Sequence, residues 1–368
     1  MKKLLLIVSV TLGFSAHGAV FHVGPDMPYD RPSEVAAVAE DGDIIEIEAV
    51  DYAGDVAVWT QSDLVIRGIG GKPHLRAGGN AAESKAIWVI KGDNTIIENI
   101  EFSGAAVPDR NGAGIRLEGT NLTVRRCFFH DNENGILTGA DAASDVLVEY
   151  SEFADNGFGD GYSHNIYIGR VNRFTLRFSY SHHARIGHQV KSRAAYNYLM
   201  FNRLMDGLSG SSSYLVDLPD PGHAIVIGNE MQQGAKAENS AMVHSAQQLM
   251  MANNTLVNDR SSGVFVRLAG ESNDSLLQNN LFVGVGEFDA GAAVLLGNLV
   301  TREPGFVGRM AYDYRLTASS PAIDAGIPVS SANSMLLPDA EYVHPISGKE
   351  RRLYGPVDIG AHEFSPRQ

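Results

Sequence analysis

Cysteine is nearly missing from this chain. Cys127 is the only one in 368 residues, so no internal disulfide can form and stability must come from packing and hydrogen bonding. Tryptophan occurs twice, and beyond the N-terminus no apolar run is long enough to span a bilayer. Positive charge is also short: 29 Lys and Arg face 43 Asp and Glu, a net charge of −14. That balance argues against general nucleic-acid binding, yet it leaves room for a local basic strip. The sequence has no zinc-type ligand spacing, nucleophile elbow or phosphate loop. Neither a metal nor a cofactor is expected.

What is present begins with an export signature. Lys2 and Lys3 precede an apolar run from Leu4 to Phe14, and Ala16 and Gly18 suit a cleavage site. Residues 1–18 are therefore expected to be a signal peptide. Residues 19–368 would form the mature protein, secreted or periplasmic, monomeric and free of the membrane.

A short phrase then recurs: TIIENIEF, LTVRRCFF, VLVEYSEF, FTLRFSYS, LMFNRLM, AIVIGNEM, LMMANNTLV, LLQNNLFV and VLLGNLV. Aligning Asn99, Arg126, Tyr150, Phe178, Asn202, Asn229, Asn254, Asn280 and Asn298 gives steps of 24 to 28 residues and a last step of 18. Such periods mean stacked units, none of which can bury its apolar side alone. The runs are short, β-branched and bounded by Gly, Asn and Asp, which excludes a helical-hairpin solenoid. The fold class expected is all-β: a single-stranded, right-handed parallel β-helix. The recurrent Asn would form an amide ladder at a turn, satisfying backbone groups that the bend leaves unpaired. Residues 19–60 would supply an N-terminal cap and the first coil. The cap helix lies in PSEVAAVAEDGD, with Ser33 as N-cap, Gly42 as terminator and Val35, Val38 and Ala39 on one buried face. Residues 300–368 would close the last coils.

A second strand aligns across the coils as AGIRLEG, NGILTG, HNIYIG, HQVKSR, YLVDLP, AMVHS and VFVRLAG. Alternation along a strand puts Ile115, Ile136, Ile166, Val190, Val216, Val243 and Val266 inside. The outer row then reads Arg116, Leu137, Tyr167, Lys191, Asp217, His244 and Arg267. A slip of one residue would bury Lys, Asp and Arg. Arg193 shares the face of Lys191. His164 and His188 precede inward residues by two, so parity turns them inward as a stacked pair. His182 and His183 fall on a following turn and read as solvated.

Gly and Ser beside these strands leave room for an extended ligand, which suits an anionic polysaccharide better than a small molecule. Lys191, Arg193, Tyr167, Asp217 and His244 are the candidate catalytic residues, and Arg116, Arg267 and His188 the candidate substrate-binding ones. Removing the proton alpha to a uronate carboxylate needs a cation or donor for the developing charge, a base and an acid. In this row Arg193 would bind the carboxylate, Lys191 would be the base, and Tyr167 or His244 the acid. Hydrolysis would need a second carboxylate beside Asp217, such as Asp160, Asp206 or Asp220. Epimerisation or simple glycan binding would use the same surface.

The stretch KSRAAYNYLMFN, followed one coil later by YLVDLPDPGHAIVIGNEMQQG, resembles the alginate lyase and chondroitinase B family of β-helix polysaccharide lyases. The resemblance implies a pectate-lyase-like solenoid and a Lys-Ser pair, here Lys191 and Ser192, whose Lys is the base. The family's assisting Arg falls at about Asp217. Its calcium carboxylates fall near Ala184 and Ile186, so calcium-assisted elimination is not expected.

Overall fold

The computed structural model describes residues 18–269 and 274–366. The expected signal peptide lies outside the described residues except for Gly18. Among the described residues no helix is long and apolar enough to cross a membrane.

Each coil contributes one strand to each of three parallel sheets. A representative coil runs Leu122–Arg125, Phe128–His130 and Asn134–Thr138 before the chain starts the next with Asp141–Glu149. The three sheets hold twelve, eleven and ten strands, and all neighbours in them are about one coil apart in sequence. This is the parallel β-helix the repeat demanded. Inward residues are apolar because the three sheets enclose a dry interior. Phe102, Phe129 and Phe153 occupy one inward position on three coils. Their rings stack nearly parallel, with centroids 5.0 and 4.9 Å apart, close to the coil spacing of about 4.8 Å. Each such buried ring contributes roughly 1.5–3 kcal/mol.

The amide ladder exists, but its first half is shifted by one residue. Asn202, Asn229, Asn254, Asn280 and Asn298 form it, each Nδ2 donating to the next Oδ1 at 2.9–3.0 Å. Their predecessors are Ser179, Ser151 and Cys127, whose backbone N–H groups bond to the side chain one coil on. Asn99, Arg126, Tyr150 and Phe178 instead occupy the preceding turn position. There they adopt φ of +49 to +57°, as do Phe201, Asn253 and Asn279. The physical reason is that the turn needs a left-handed residue immediately before the buried ladder. Asn serves either position, which blurred the alignment.

Both ends differ from expectation. The N-terminal helix is Pro32–Ala36, with Arg31 as N-cap and no side-chain cap. Ser33 bonds to Asp55 instead. Val35 and Ala39 are buried, but Val38 is half exposed, so it does not join them. The C-terminal segment does not close the last coils. Strand Val294–Leu296 is exposed along its length, while residues after 302 fold back along the side of the helix. Asn253 donates to the Asp358 carbonyl at 2.9 Å and Gly360 to that of Asn279 at 2.9 Å. His344 packs edge-on against Tyr180, 5.1 Å between centroids.

Candidate functional site

The ten-stranded sheet carries the outer row in register. Strand pairing joins Arg116 to Leu137, Leu137 to Tyr167, Tyr167 to Lys191, Lys191 to Asp217, Asp217 to His244 and His244 to Arg267. The seven residues placed inside are all fully buried. Alternation plus coil stacking therefore brings the catalytic candidates into one line.

Asp217 is the centre of that line. It is 4% exposed, and its two oxygens receive three groups from the two coils that flank it. His244 Nδ1 lies 2.7 Å from Oδ1. Lys191 Nζ and His188 Nε2 lie 3.3 and 3.4 Å from Oδ2. Burial alone would raise this carboxyl, but the hydrogen bonds from His188 and His244 and the charge of Lys191 hold it far below the usual carboxylate range. Asp217 is an anion at any ordinary pH.

His188 corrects an expectation. Gln189 and Val190 both turn inward: Asn165 Nδ2 donates to Gln189 Oε1 at 2.7 Å and Val190 is in the core. Alternation slips by one residue before the strand begins, so His188 emerges on the side of Asp217. Its Nδ1 accepts the Tyr214 backbone N–H at 3.1 Å, which leaves the proton on Nε2, facing Asp217. The ring does stack on His164, at 4.5 Å, and His164 Nδ1 accepts the His188 backbone N–H at 3.0 Å. Burial, only partly offset by Asp217, pushes His188 below its ordinary value. With 5% exposure and both nitrogens engaged, His188 has no surface to offer a polymer. It holds Asp217 in place.

Beyond Lys191 the row becomes a basic groove of about 760 Å³, whose lining includes Arg110, Arg116, Tyr167, Arg170 and Arg193. Arg193 Nε donates to the Tyr167 hydroxyl at 3.2 Å, and its Nη1 pairs with Asp220. Asp220 also takes Arg170 Nε at 2.7 Å. The Lys191 ammonium lies 5.7 Å from the centre of the Tyr167 ring. Leu137 faces outward as read but is covered, packing with Ala86, Val89, Ala113 and Tyr167. Arg267, at the far end, pairs with Asp289 at 3.4 Å. His182 and His183 are not solvated: their Nδ1 atoms are 2.6 Å apart and His182 stacks on Tyr180 at 4.0 Å. Ser192 is fully buried, on the opposite side of the strand from Lys191.

Three partners escaped the sequence reading. Arg110 lies in a loop, Arg170 follows the strand Ile166–Ile168, and Tyr214 precedes Val216–Leu218. None sits where strand alternation predicts a direction. Tyr214 stacks on the His244 ring at 5.3 Å, and Arg170 meets Asp220 only because two coils bring residues 50 apart together. Of the hydrolase candidates, Asp160 alone lines the groove, 3.9 Å from Arg110. Asp206 is buried in the interior and bonded to Gln189, Ser212 and Gly234, and Asp220 is neutralised by two arginines.

A solvent-facing row of polar groups on a parallel β-helix, with a basic groove beside it, defines a class rather than one protein. The chain belongs to the family described as right handed beta helix region, which matches residues 78–300. Among solved structures it is similar to pectate lyase Pel9A, with 15% identity and a TM-score of 0.65 over 95% of this chain and 97% of that one. Weaker likenesses are to ORF18 of Geobacillus virus E2 (13% identity, TM-score 0.42, 70% of this chain and 52% of that one) and to a pectin methylesterase from Aspergillus niger (10%, 0.36, 76% and 85%). A search of curated protein sequences finds no match. At these identities the likeness establishes the fold: a right-handed β-helix of the pectate-lyase type.

Proposed function

We propose that this chain is an exported polysaccharide lyase that cleaves a uronate-containing polymer by β-elimination. The observation that carries the reading is the Asp217–His244 pair, one and two coils along the same sheet from an arginine-lined groove. Because Nδ1–H of His244 is committed to Asp217, the lone pair of Nε2 is free to act as a base. The fold shared with a pectate lyase supports the same reading by analogy.

The geometry favours His244 over Lys191 as the base. The Lys191 ammonium faces a permanent carboxylate, so its service is positive charge. In the reaction, Lys191 and Arg193 neutralise the substrate carboxylate and the charge that spreads into it. His244 Nε2 takes the C5 proton, the C5–H electrons become the C4–C5 double bond, and the C4–O bond breaks. The leaving oxygen takes its proton from water, since Tyr167 stands three coils from His244, roughly 14 Å along the row, and serves with Arg193 to hold a more distant sugar. Asp217 aligns His244 and balances the imidazolium.

The test is incubation with polygalacturonate, alginate and glycosaminoglycans, following ultraviolet absorbance of unsaturated ends. Absorbance that grows with wild type and vanishes in His244→Ala and Lys191→Ala supports the reading. New reducing ends without absorbance mean hydrolysis, and retention of polymer without cleavage means a binding protein. Lys191→Arg separates the two roles of Lys191. A guanidinium supplies charge but cannot be a base, so retained turnover places the base at His244, and loss equal to Lys191→Ala returns it to Lys191.

A further inference from the structure

A second cluster sits on the eleven-stranded sheet, away from the groove. His74, Glu101 and His130 come from three successive coils, on strands His74–Arg76, Glu101–Ser103 and Phe128–His130. His130 Nε2 lies 3.0 Å from Glu101 Oε1, and His74 Nε2 lies 3.6 Å from the same oxygen. All three candidate ligand atoms fall within 4.8 Å of one another. Tetrahedral zinc at its usual bond lengths holds adjacent ligands about 3.3–3.4 Å apart, so these separations bracket what one ion requires.

The proton count adds an independent argument. His130 faces a carboxylate at both ring nitrogens, with Nδ1 2.9 Å from Asp131 Oδ2 and Nε2 at Glu101. A neutral imidazole has one N–H. If Asp131 takes it, the Nε2 lone pair confronts the Glu101 oxygen, and either a second proton on the ring or a metal ion between them removes the repulsion. A carboxylate behind a ligating histidine is also the usual device for fixing the tautomer at a metal. Asp131 is itself held by Arg185, and Phe128 stacks on the His130 ring at 4.5 Å. The Ser103 hydroxyl, 2.6 Å from His74 Nε2, is the hydrogen-bond partner that an ion would displace from that nitrogen.

We infer that His74, Glu101 and His130 form a binding site for one divalent transition ion, of which zinc is the type, bridging three coils. Two imidazoles and a carboxylate suit that class and not calcium, which takes oxygen ligands. Each side chain is about a quarter exposed, so an ion can enter, and a fourth position stays open to water. Sequence patterns for zinc are sought at short spacing, so the sequence reading did not single out this cluster. Here the coil period, 27 and 29 residues, replaces the short loop.

The experiment uses the full chain without a polyhistidine tag, stripped by chelator and titrated with zinc chloride by calorimetry, with cobalt(II) absorption as a spectroscopic reporter. The expected result is one ion per chain, a cobalt adduct with four-coordinate visible bands, and loss of both in His74→Ala, Glu101→Gln and His130→Ala. Asp131→Asn is expected to weaken affinity roughly 10- to 100-fold. The double variant His182→Ala/His183→Ala should bind as wild type does. Absence of binding overturns the inference, as does unchanged stoichiometry in the His74 or His130 variants or its loss in the His182/His183 variant. Circular dichroism of each variant confirms that the coils remain folded.

Discussion

His244 and Asp217 stand opposite one another on adjacent coils, and the imidazole Nδ1 reaches the carboxylate at 2.7 Å. Each is held by its own stack: Tyr214 lies on the His244 ring, and His188 reaches the other carboxylate oxygen. His244→Ala is expected to lower kcat roughly 10²- to 10⁴-fold, the range for a general base, with little change in KM. A drop confined to KM would make His244 a binding residue.

His188 is placed to position Asp217, not to touch substrate. His188→Ala removes one of three groups facing a buried carboxylate, and the expected result is a lower kcat with KM unchanged. His188→Gln offers a donor without a titrating ring, so it should recover part of that loss. If neither variant alters turnover, the His188 contact is only structural.

In the proposed reaction Arg193 meets the substrate carboxylate through its charge. Arg193→Ala is expected to raise KM by about 10- to 100-fold, the equivalent of one charge-assisted hydrogen bond of roughly 1.5–3 kcal/mol. Arg193→Lys should recover part of the loss. The same KM for uronate polymer in wild type and Arg193→Ala would remove this arginine from recognition.

Asn229 sits inside the amide ladder, bonding Asn202 on one side and Asn254 on the other while donating to the Leu199 carbonyl. Asn229→Ala strands several buried backbone and amide groups at about 1–3 kcal/mol each. A marked fall in Tm is expected, whereas Lys236→Ala, at an exposed turn, should be nearly neutral. Equal Tm values for the two variants would deny the ladder its structural role.

The folded-back C-terminal segment is pinned by His362, buried between Glu230 at 2.8 Å and Glu341 at 3.4 Å. Burial alone would lower its pKa, but the two carboxylates outweigh it and raise it from 6.5 to about 9. A value raised by folding stabilises fully below 6.5, and that contribution is lost as pH climbs through 9. The hydrogen-exchange protection factor over residues 340–366, corrected for the intrinsic rise of amide exchange with pH, is expected to fall over that window, and His362→Gln should abolish the fall. A corrected protection factor that ignores pH in wild type would remove His362 as the latch.

Much of the fold was legible because its rules are local. Strand alternation has a period of two and a slip buries charge, so the row from Arg116 to Arg267 could be read with its direction. The spacing of Asn202 to Asn280 likewise announced the coil. What stayed hidden depends on backbone irregularity and on turns of unequal length. A slip at Gln189 decides that His188 meets Asp217, and the left-handed turn residue shifts the ladder between Phe178 and Ser179.

From sequence alone came the periodic burial that forces a stacked β-helix and lines up Tyr167, Lys191, Asp217 and His244, since apolar inward positions admit a single register. Tertiary structure alone decided which donors surround Asp217, where the C-terminal segment lies, and that His74, Glu101 and His130 converge. Those contacts join residues a coil or more apart through turns whose paths no local preference specifies.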